Sequence, residues 1–250
     1  MVDIHSHFLY GLDDGAKDRE SSLAMLRMAY ETGTTDIVAT PHSDLKYSFQ
    51  PDVIAAQLQD LASTSGIPRL HRGCDFHLSF DNIEDCHSYP TKYTVNGQRY
   101  LLVEFDNRKV PANMGEVFGR MREDGITPVI THPERNPLLR KRLPELKQWV
   151  DAGCGVQVTA QSLLGDFGNS AERSARELIA KCLVHFVASD AHDLHHRPPT
   201  LRAAYSLLQN NYGKALAELL LVANPSAVLT GDPFEVPPTT KNGRRWFKLW

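Results

Sequence analysis

An α/β fold with mainly parallel strands is predicted by two features of the 250-residue sequence. Short runs with strand character alternate with helix-length segments along most of the chain, an order typical of parallel sheets with crossover helices. The length fits one large domain, and contents of 42% hydrophobic and 23% charged residues are ordinary for a globular protein. We therefore treat residues 1–250 as a single domain.

Seven segments are predicted to be strands, and helices are predicted between them. The strands are 2–4, 36–40, 69–75, 100–105, 127–131, 155–159 and 184–189. Apolar residues repeat at helical spacing in the intervening segments, and Gly33, Gly125 and Gly153 are predicted to end three of the helices. The repeating positions are Leu23, Leu26 and Tyr30; Val53, Ala56 and Leu61; Met114, Val117, Phe118 and Met121; Leu146, Trp149 and Val150; and Ala175, Leu178 and Ile179. A last helical stretch is predicted over 200–221, with a break near Gly213.

Two segments depart from this alternation. Residues 78–98 show no clear periodicity and are predicted to be a long insertion, a kind of loop that is often functional inside a compact domain. From about residue 232 the chain becomes Pro-rich and then basic and aromatic, ending in Arg244-Arg245-Trp246-Phe247-Lys248-Leu249-Trp250. We expect a frayed tail here, with a packed or intersubunit aromatic anchor as the alternative.

The charge balance excludes a broad basic surface. The net charge is −3 and the pI about 6.4, so an anionic substrate must be attracted locally, by metal ions or a few arginines. Nucleic-acid binding and membrane insertion are not expected, because no basic aromatic track lies outside the last ten residues and no apolar run approaches spanning length. The first residues show no signal-peptide pattern, and we expect a cytoplasmic protein. Homo-oligomer formation is left open.

The cysteines argue against two classes of site. Cys74, Cys86, Cys154 and Cys182 form no CxxC pair and no zinc-finger spacing, so we expect thiols in a reducing compartment. None is followed six residues later by arginine. The C-x5-R loop of a cysteine-based phosphatase is therefore missing from the sequence.

Histidine and carboxylate residues close six of the seven predicted strands. They are His5, His7, His42, Asp75, Glu104, His132, Asp190 and His192. The carboxyl ends of the strands in a parallel barrel meet at one rim. Eight nitrogen and oxygen ligands are too many for one ion, so two or three divalent ions sharing carboxylates are predicted, an arrangement that suits phosphoryl displacement.

Each of these residues also has an ordinary structural interpretation. A single histidine near a strand end is usually a hydrogen-bonded or surface residue, and the order of the whole set carries the metal hypothesis. Glu104 is a stronger signal, because an unpaired carboxylate in the apolar run Leu-Leu-Val-Glu-Phe is costly. The remaining histidines are predicted to be structural or on the surface, with His77 the nearest to the pattern; they are His71, His77, His87, His185, His195 and His196.

The motifs, in this order, closely resemble the PHP (polymerase and histidinol phosphatase) superfamily. Within it they are similar to the manganese-dependent bacterial protein-tyrosine phosphatases of capsule and exopolysaccharide synthesis. The resemblance covers nearly the whole chain, and its most specific blocks are Asp13-Asp14-Gly15 and His132-Pro133-Glu134-Arg135-Asn136. The other matching blocks are Asp3-Ile4-His5-Ser6-His7, Ala39-Thr40-Pro41-His42, Tyr93-Thr94-Val95-Asn96, Leu102-Val103-Glu104-Phe105, Gln161-Ser162-Leu163-Leu164-Gly165, Ser189-Asp190-Ala191-His192 and Arg197-Pro198-Pro199.

The resemblance implies a distorted seven-stranded (β/α) TIM-like barrel of the PHP type that holds three metal ions, with manganese favoured and iron, zinc or magnesium as alternatives. It implies one ion held by His5, His7, Asp75 and Asp190; a second held by Asp75, Glu104 and His132; and a third held by Asp14, His42 and His192. The choice of Asp14 over Asp13 rests on the family alone. Asp75 departs from the glutamate usual in the family, which puts metal spacing or affinity at that position in doubt.

The implied activity is hydrolysis of phosphotyrosine on the tail of a membrane-associated bacterial tyrosine kinase. Arg135 and Arg197 are predicted to bind the phosphate, and Asp14 or His42 to assist the leaving phenolate. No other cofactor site is predicted. The alternatives are a PHP hydrolase of a small phosphate ester such as histidinol phosphate, and a metal-free module that binds a kinase tail.

Overall fold

All strand pairs are parallel, as predicted, and they form two sheets. The computed structural model describes residues 1–237. The first sheet has the order β1-β2-β4 and the second the order β3-β5-β6-β7-β8-β9. The strands are β1 Val2–Ser6, β2 Asp36–Ala39, β3 His42–Ser43, β4 Arg69–Arg72, β5 Asp75–His77, β6 Tyr100–Glu104, β7 Thr127–Thr131, β8 Gly155–Thr159 and β9 Phe186–Ala188.

Residues 1–237 form nine strands where seven were expected, because two of the predicted strands are interrupted. Segment 36–40 is continued by a short strand after Pro41, which has no N–H to donate to a ladder. Segment 69–75 breaks at Gly73, where a Cβ atom would lie 2.8 Å from Cγ1 of Val38. Each break moves the later half of the strand from the first sheet to the second.

Helices follow most strands and cover the outside of the sheets. They are α1 Arg19–Glu31, α2 Pro51–Ala62, α3 Phe80–Ser88, α4 Met114–Glu123, α5 Leu143–Asp151, α6 Ala160–Leu164, α7 Asn169–Ala180, α8 Arg202–Tyr212, α9 Lys214–Glu218 and α10 Asn224–Thr230. The predicted break near Gly213 separates α8 from α9, and a π-helical turn at Leu219–Ala223 carries the helical stretch beyond its predicted end. None of the helices within residues 1–237 has the length and apolar character needed to cross a bilayer.

The predicted insertion 78–98 is ordered, so its interpretation as an irregular loop was wrong. Ser79 caps α3 by accepting a hydrogen bond from the Asn82 N–H. After α3 the chain turns inward, where Tyr93 and Val95 are buried, and forms a 3-10 turn at Val95–Gly97. The polar composition concealed the few apolar residues that fix this segment.

The first part of the expected tail is also fixed. The Tyr100 hydroxyl donates to the carbonyl of Asp232, and the Phe234 ring packs against His185 and Phe186. The Asn224 side chain donates to the Glu235 carbonyl and accepts from the Glu235 N–H. Residues 232–237 therefore correct the expectation of fraying, while the basic and aromatic part of the tail lies outside the described residues.

The two faces of β6 show where the core lies and where the site begins. Leu101 and Val103 pack outward with the helices, whereas Tyr100 and Leu102 pack inward with residues of the other strands. Because side chains alternate along a strand, Glu104 continues the inward face beyond Leu102. The inner apolar core thus ends at the carboxyl ends of the strands in a polar rim. The buried cysteines Cys74, Cys86 and Cys154 are core thiols, as expected.

Candidate metal centre

Backbone pairing brings the first and last predicted ligand pairs together. The His7 N–H donates to the carbonyl of Ala191 over 2.8 Å, and the Asp190 N–H donates to the carbonyl of His5 over 2.8 Å. Ser6 and Ala191 form an isolated parallel bridge between the end of β1 and the segment after β9. The side chains of His5, His7, Asp190 and His192 are therefore neighbours although about 185 residues separate them.

All nine predicted metal ligands lie in one continuous cluster. They form four overlapping groups, and within each group one ligand atom per residue lies within 4.8 Å of the others. The groups are His7, Asp14, His42 and His192; His5, His7 and Asp75; His5, His132 and Asp190; and His42, Asp75 and Glu104. Their role as ligands stays a prediction, but the rim brings together every residue that the sequence nominated.

The grouping differs in detail from the one that the resemblance implies. Asp75 belongs to two groups, as a bridging carboxylate would. His132 groups with His5 and Asp190, and its Nε2 lies 3.7 Å from Glu104 Oε1. The His132 ring thus lies close to the carboxylates of both Glu104 and Asp190.

The lack of hydrogen-bond partners for the Asp75 carboxylate fits cation binding. Asp75 is fully buried, and neither of its carboxylate oxygens has a hydrogen-bond partner. His5 Nε2 and His42 Nδ1 lie 3.4 and 3.2 Å from Asp75 Oδ2 without hydrogen-bond alignment, and His42 Nδ1 is itself unpartnered. Leaving such groups unpaired in the interior costs free energy. Imidazole and carboxylate atoms that converge without bonding one another are a donor set suited to divalent cations.

The electrostatics of the cluster also favour added positive charge. Burial opposes the charged form of His5, but the carboxylates of Asp190 and Asp75 outweigh it and raise the His5 pKa to about 9. Burial and the nearby charge of Asp75 raise the pKa of Glu104 above its usual range. The carboxylates therefore hold protons or protonated imidazoles close by, and divalent ions would fill the same electrostatic role.

Asp13 and Asp14 have different positions. Asp14 Oδ1 lies 3.3 Å from Nε2 of both His42 and His192, so Asp14 faces the cluster. Asp13 lies behind it, with its Oδ2 2.7 Å from His7 Nδ1. Gly15 allows this arrangement, because a Cβ atom there would lie only 2.1 Å from the carbonyl oxygen of His7.

Two orienting residues were missed by the sequence reasoning. Asp13 fixes the ring of His7, and Gln157 Oε1 lies 3.1 Å from Nδ1 of His5. Carboxylates and amides that hold the second nitrogen of a histidine set its tautomer and direction in metal sites. The signal for Gln157 was present in the sequence, since it is a polar residue in the middle of the buried strand Gly-Val-Gln-Val-Thr.

The two arginines predicted to bind phosphate converge on one atom. Arg135 Nη1 and Arg197 Nη2 both donate to Oδ2 of Asp190. The guanidinium carbon of Arg135 also lies 4.3 Å from the centre of the Phe167 ring. Gln161 donates to the carbonyl of Pro198 over 2.7 Å and so holds the loop that carries Arg197. Both guanidinium groups are thus fixed beside the cluster, and phosphate binding by them stays a prediction.

Some residues of the His-Pro-Glu-Arg-Asn block lie in the site, and others hold the loop that carries them. Glu134 is fully buried and accepts hydrogen bonds from the Thr159 N–H and the Ser162 hydroxyl. Asn136 accepts from the backbone of the following turn and donates to the carbonyl of Phe105. His132 has a positive φ of 33°, a strained conformation that is common at functional sites. Glu134 and Asn136 therefore hold the loop that presents His132 and Arg135.

The remaining histidines stay outside the four groups within residues 1–237. His71 contacts Asp36, His87 contacts Asp124, and the buried Nδ1 of His185 accepts from the Val156 N–H. His195 and His196 lie in an exposed turn held by Asp193. His77 lines a cleft next to the cluster without joining it.

Comparison with known proteins gives consistent results over the full length. Residues 1–230 match the family described as capsular polysaccharide synthesis, CpsB/CapC. The chain is 33% identical to the tyrosine-protein phosphatase YwqE of Bacillus subtilis, with 99% of each chain covered. It is 30% identical to the tyrosine-protein phosphatase CpsB of Streptococcus pneumoniae, with 92% of this chain and 98% of the relative covered.

Solved structures agree with these relatives. The fold matches crystal structures of YwqE from B. subtilis and CpsB from S. pneumoniae, described as unique metal-dependent tyrosine phosphatases, with a TM-score of 0.88, 30% identity and coverage of 95% of this chain and 98% of the other. A lactonase from Listeria monocytogenes matches with a TM-score of 0.60 at 11% identity and covers 95% of each chain. This second likeness concerns the fold alone.

Proposed function

Because the chain belongs to the CpsB/CapC family of capsular polysaccharide synthesis, we propose that it is a metal-dependent tyrosine-protein phosphatase. The observation that carries the proposal is the meeting of nine histidine and carboxylate side chains in four overlapping groups, beside two fixed arginines. Such a rim can bind several divalent ions and a phosphoryl group at once.

We propose that the nine residues of the four groups hold two or three divalent ions, with manganese as the favoured metal. The donor set of imidazole and carboxylate also suits iron, zinc or magnesium. Asp75, which belongs to two groups, is the proposed shared ligand. When bound, such ions neutralise charge on phosphoryl oxygens and make water a nucleophile near neutral pH.

Arg135 and Arg197 are the proposed phosphate-binding residues. Their guanidinium groups already meet at Asp190 Oδ2, so they can turn toward an anion placed in the same corner. Guanidinium groups bind phosphate through paired hydrogen bonds. The ring of Phe167 and the loop held by Gln161 limit the directions that the two side chains can take. The phosphoryl group would therefore be oriented at small entropic cost.

The leaving group needs little assistance if it is a phenolate. A tyrosine phenolate has a pKa near 10 and leaves more readily than an alkoxide. Hydrogen bonds from His192 and His42 keep the pKa of Asp14 well below its usual range. Asp14 is therefore ionised at neutral pH, and this favours its ligand role over the predicted role as a proton donor. His42 remains the other proposed residue for assisting the leaving group.

We also propose that the two sheets act together as a distorted (β/α) barrel. The bridge between Ser6 and Ala191 links the edge of the first sheet to the end of the second. If β2 with β3, and β4 with β5, count as single interrupted strands, seven strands surround the inner core. This arrangement would gather all ligand-bearing strand ends at one rim.

The proposed substrate is phosphotyrosine on the tail of a bacterial tyrosine kinase that controls capsule or exopolysaccharide synthesis, and the proposed compartment is the cytoplasm. Support comes from the family description and from relatives named tyrosine-protein phosphatases. The alignment with YwqE covers 99% of each chain, so the proposal does not rest on a partial match.

The test compares substrates with the metal present and removed. Purified protein with Mn²⁺ is expected to hydrolyse a phosphotyrosine peptide with a higher kcat/KM than histidinol phosphate, and to lose this activity after treatment with a chelator. A preference for histidinol phosphate would reassign the enzyme to small phosphate esters. Absence of any bound ion and of any hydrolysis, together with binding of the peptide, would indicate a metal-free binding module.

A further inference from the structure

The ring of Phe167 lies against one of the two arginines proposed to bind phosphate. The guanidinium carbon of Arg135 is 4.3 Å from the centre of this ring. At such a distance the electron-rich face of an aromatic ring attracts a cation. The Arg135 side chain is only 24% exposed, so water weakens the attraction less than it would on an open surface. Phe167 is therefore an energetic partner of Arg135 and not only a neighbour.

Contact with a ring restrains the Arg135 guanidinium group without occupying its hydrogen-bond donors. An aromatic ring attracts the group as a cation and offers no oxygen to its N–H groups. A guanidinium group carries several N–H donors, and Arg135 uses Nη1 to donate to Asp190 Oδ2. Further donors therefore stay available for the oxygens of an anion while Phe167 holds the group in place.

The other restraint on Arg135 is shared with the candidate metal centre. Arg135 and Arg197 both donate to Oδ2 of Asp190, and Asp190 is one of the nine proposed ligands. A cation held by Asp190 would compete with the two guanidinium groups for the oxygens of this carboxylate. The contact between Arg135 and Phe167 involves no proposed ligand. The direction of Arg135 would then depend chiefly on the ring.

The turn that carries Phe167 is itself fixed. It follows helix α6, which ends at Gly165 with a left-handed φ of 90°. The Asp166 N–H donates to the carbonyl of Gln161 over 3.0 Å, and the Gly168 N–H donates to the carbonyl of Gly165 over 2.9 Å. These backbone hydrogen bonds set the position of Phe167 relative to α6.

The loop that carries Arg135 is tied to the same helix. The Ser162 hydroxyl, within α6, donates to Oε1 of Glu134 over 2.7 Å. The Thr159 N–H, at the start of α6, donates to the same oxygen over 3.0 Å. Glu134 directly precedes Arg135 in the chain. The ring of Phe167 and the guanidinium group are therefore both held by α6, which maintains the spacing between them.

We propose that Phe167 is a positioning residue that holds Arg135, through the face of its ring, in the direction needed to bind a phosphoryl group. The inference rests on the proposed phosphatase function and assigns a part in it to a residue outside the nine proposed ligands. An uncharged ring suits this task, because a carboxylate in its place would compete with phosphate for the guanidinium donors. The ring orients Arg135 and leaves its positive charge for the anion.

The experiment is a double-mutant cycle on the full-length protein with Mn²⁺, read out as the Kd for inorganic phosphate by calorimetry. Phe167→Leu is expected to raise the Kd about tenfold, since the attraction between ring and cation is lost. With Arg135→Ala already present, the same change should alter the Kd by less than about twofold, because the partner of the ring is absent. Phe167→Tyr keeps an aromatic face and should bind phosphate as the wild-type protein does. Phe80→Leu, which removes a ring that is 77% exposed on α3, is the matched control.

A second substitution separates the charge attraction of the ring from its shape. Trifluorophenylalanine at position 167 keeps the ring but weakens its attraction for cations, so it should raise the Kd for phosphate as Phe167→Leu does. This comparison stays decisive if Phe167→Leu disturbs the fold. A wild-type Kd in the fluorinated protein would overturn the proposed role.

The cycle has two further outcomes that would contradict the role of Phe167. An equal loss of phosphate affinity with and without Arg135 would show that Phe167 supports the site in general. Absence of phosphate binding by the wild-type protein would remove the anion that Arg135 is held to meet. Failure of the wild-type protein to hydrolyse any phosphate ester would refute the proposed function instead, and the Kd values would still decide the role of Phe167.

Discussion

Both ends of the strands contain a cluster of histidine and carboxylate groups, and the two clusters differ in how their hydrogen bonds are satisfied. Near the amino ends, Asp36 receives two hydrogen bonds from Arg69, of 2.7 and 2.8 Å, and its Oδ1 lies 3.0 Å from Nε2 of His71. At the carboxyl ends, Asp75 is fully buried and neither oxygen has a hydrogen-bond partner.

The difference separates a cluster whose hydrogen bonds are satisfied from a candidate binding cluster. A buried carboxylate that is fully paired needs nothing more and contributes to folding. A buried carboxylate surrounded by unaligned imidazoles is tolerated only if a ligand contributes the missing interaction. Substitutions at the amino ends should therefore change the free energy of unfolding, and substitutions at the carboxyl ends should change ion binding and turnover.

The largest effect is expected from His5→Ala combined with His7→Ala. Three of the four groups contain His5, His7 or both. Loss of the two imidazoles should lower the turnover of a phosphotyrosine peptide at least roughly a thousandfold, because bound metal contributes several kcal/mol to such reactions. In the wild-type protein, Mn²⁺ at about a hundred times its Kd should raise the free energy of unfolding by about 2.7 kcal/mol. Urea titrations with and without Mn²⁺ should show no such gain in the double variant.

The matched control for this experiment is His195→Ala combined with His196→Ala. Both residues lie outside the four groups, so Mn²⁺ stabilisation and turnover should match those of the wild-type protein. Full activity and normal ion content in the His5 and His7 variant would remove the basis for a metal mechanism.

An intermediate effect, on stability only, is expected from Asn224→Ala. The change removes hydrogen bonds to the carbonyls of His185 and Glu235 and from the N–H of Glu235. Since Asn224 is buried, the free energy of unfolding should fall by about 2–3 kcal/mol. Asn224→Asp places an oxygen against the carbonyls of His185 and Glu235 in a buried position and should lose at least as much. Urea denaturation measures both variants, and a loss of turnover below the unfolding transition would contradict the separation of the two ends.

The smallest effect, which depends on pH, is expected from Arg69→Ala. Burial raises the pKa of Asp36, but hydrogen bonds from Arg69 and His71 outweigh burial and lower the pKa to about 2. A depressed pKa stabilises the folded state above the ordinary value of 3.8, and this contribution is lost as the pH falls toward 2. Because the Arg69 side chain is 78% exposed, solvent screens the ion pair, and the loss of stability at pH 7 should be smaller than that of Asn224→Ala.

Urea titrations between pH 7 and 3 test this pH dependence. The difference in the free energy of unfolding between the wild-type protein and Arg69→Ala should be constant at higher pH and should become smaller below about pH 4. Lys181→Ala, which removes an ammonium 3.8 Å from Glu177 on the surface, should show no such trend. A difference that widens in acid would mean that Asp36 is not held ionised by Arg69.

Local patterns in the sequence predicted most of the strands and the residues that meet at the rim, while the role of those residues as ligands stays a prediction. Strand-like runs marked the seven predicted strands, and the candidate ligands other than Asp14 lie at the ends of such runs. The interruptions at Pro41 and Gly73 were not predicted, because they depend on close packing between neighbouring strands. Segment 78–98 was misjudged for a related reason, since a few buried side chains and a capping serine order it.

The support around the site was harder to predict. Asp13 and Gln157 act through contacts with His7 and His5, and these contacts exist only in the folded protein. Within one sequence block, Arg135 faces the site and Glu134 supports the loop. This difference also depends on contacts that exist only in the folded protein. Residue type and order nominate ligands, whereas the residues that aim them depend on which strands become neighbours.

The link between β1 and the segment after β9 has a consequence for synthesis of the protein. Asp3 accepts a hydrogen bond from the Ser189 N–H across 186 positions, and Asp190 meets His5 at the same junction. A growing chain therefore exposes His5 and His7 early but cannot complete the candidate metal cluster until residues 190–192 have emerged. Contacts of such long range slow folding and leave apolar edges uncovered while synthesis proceeds. Binding of the full set of ions would then occur only in chains whose first and last strands have already paired.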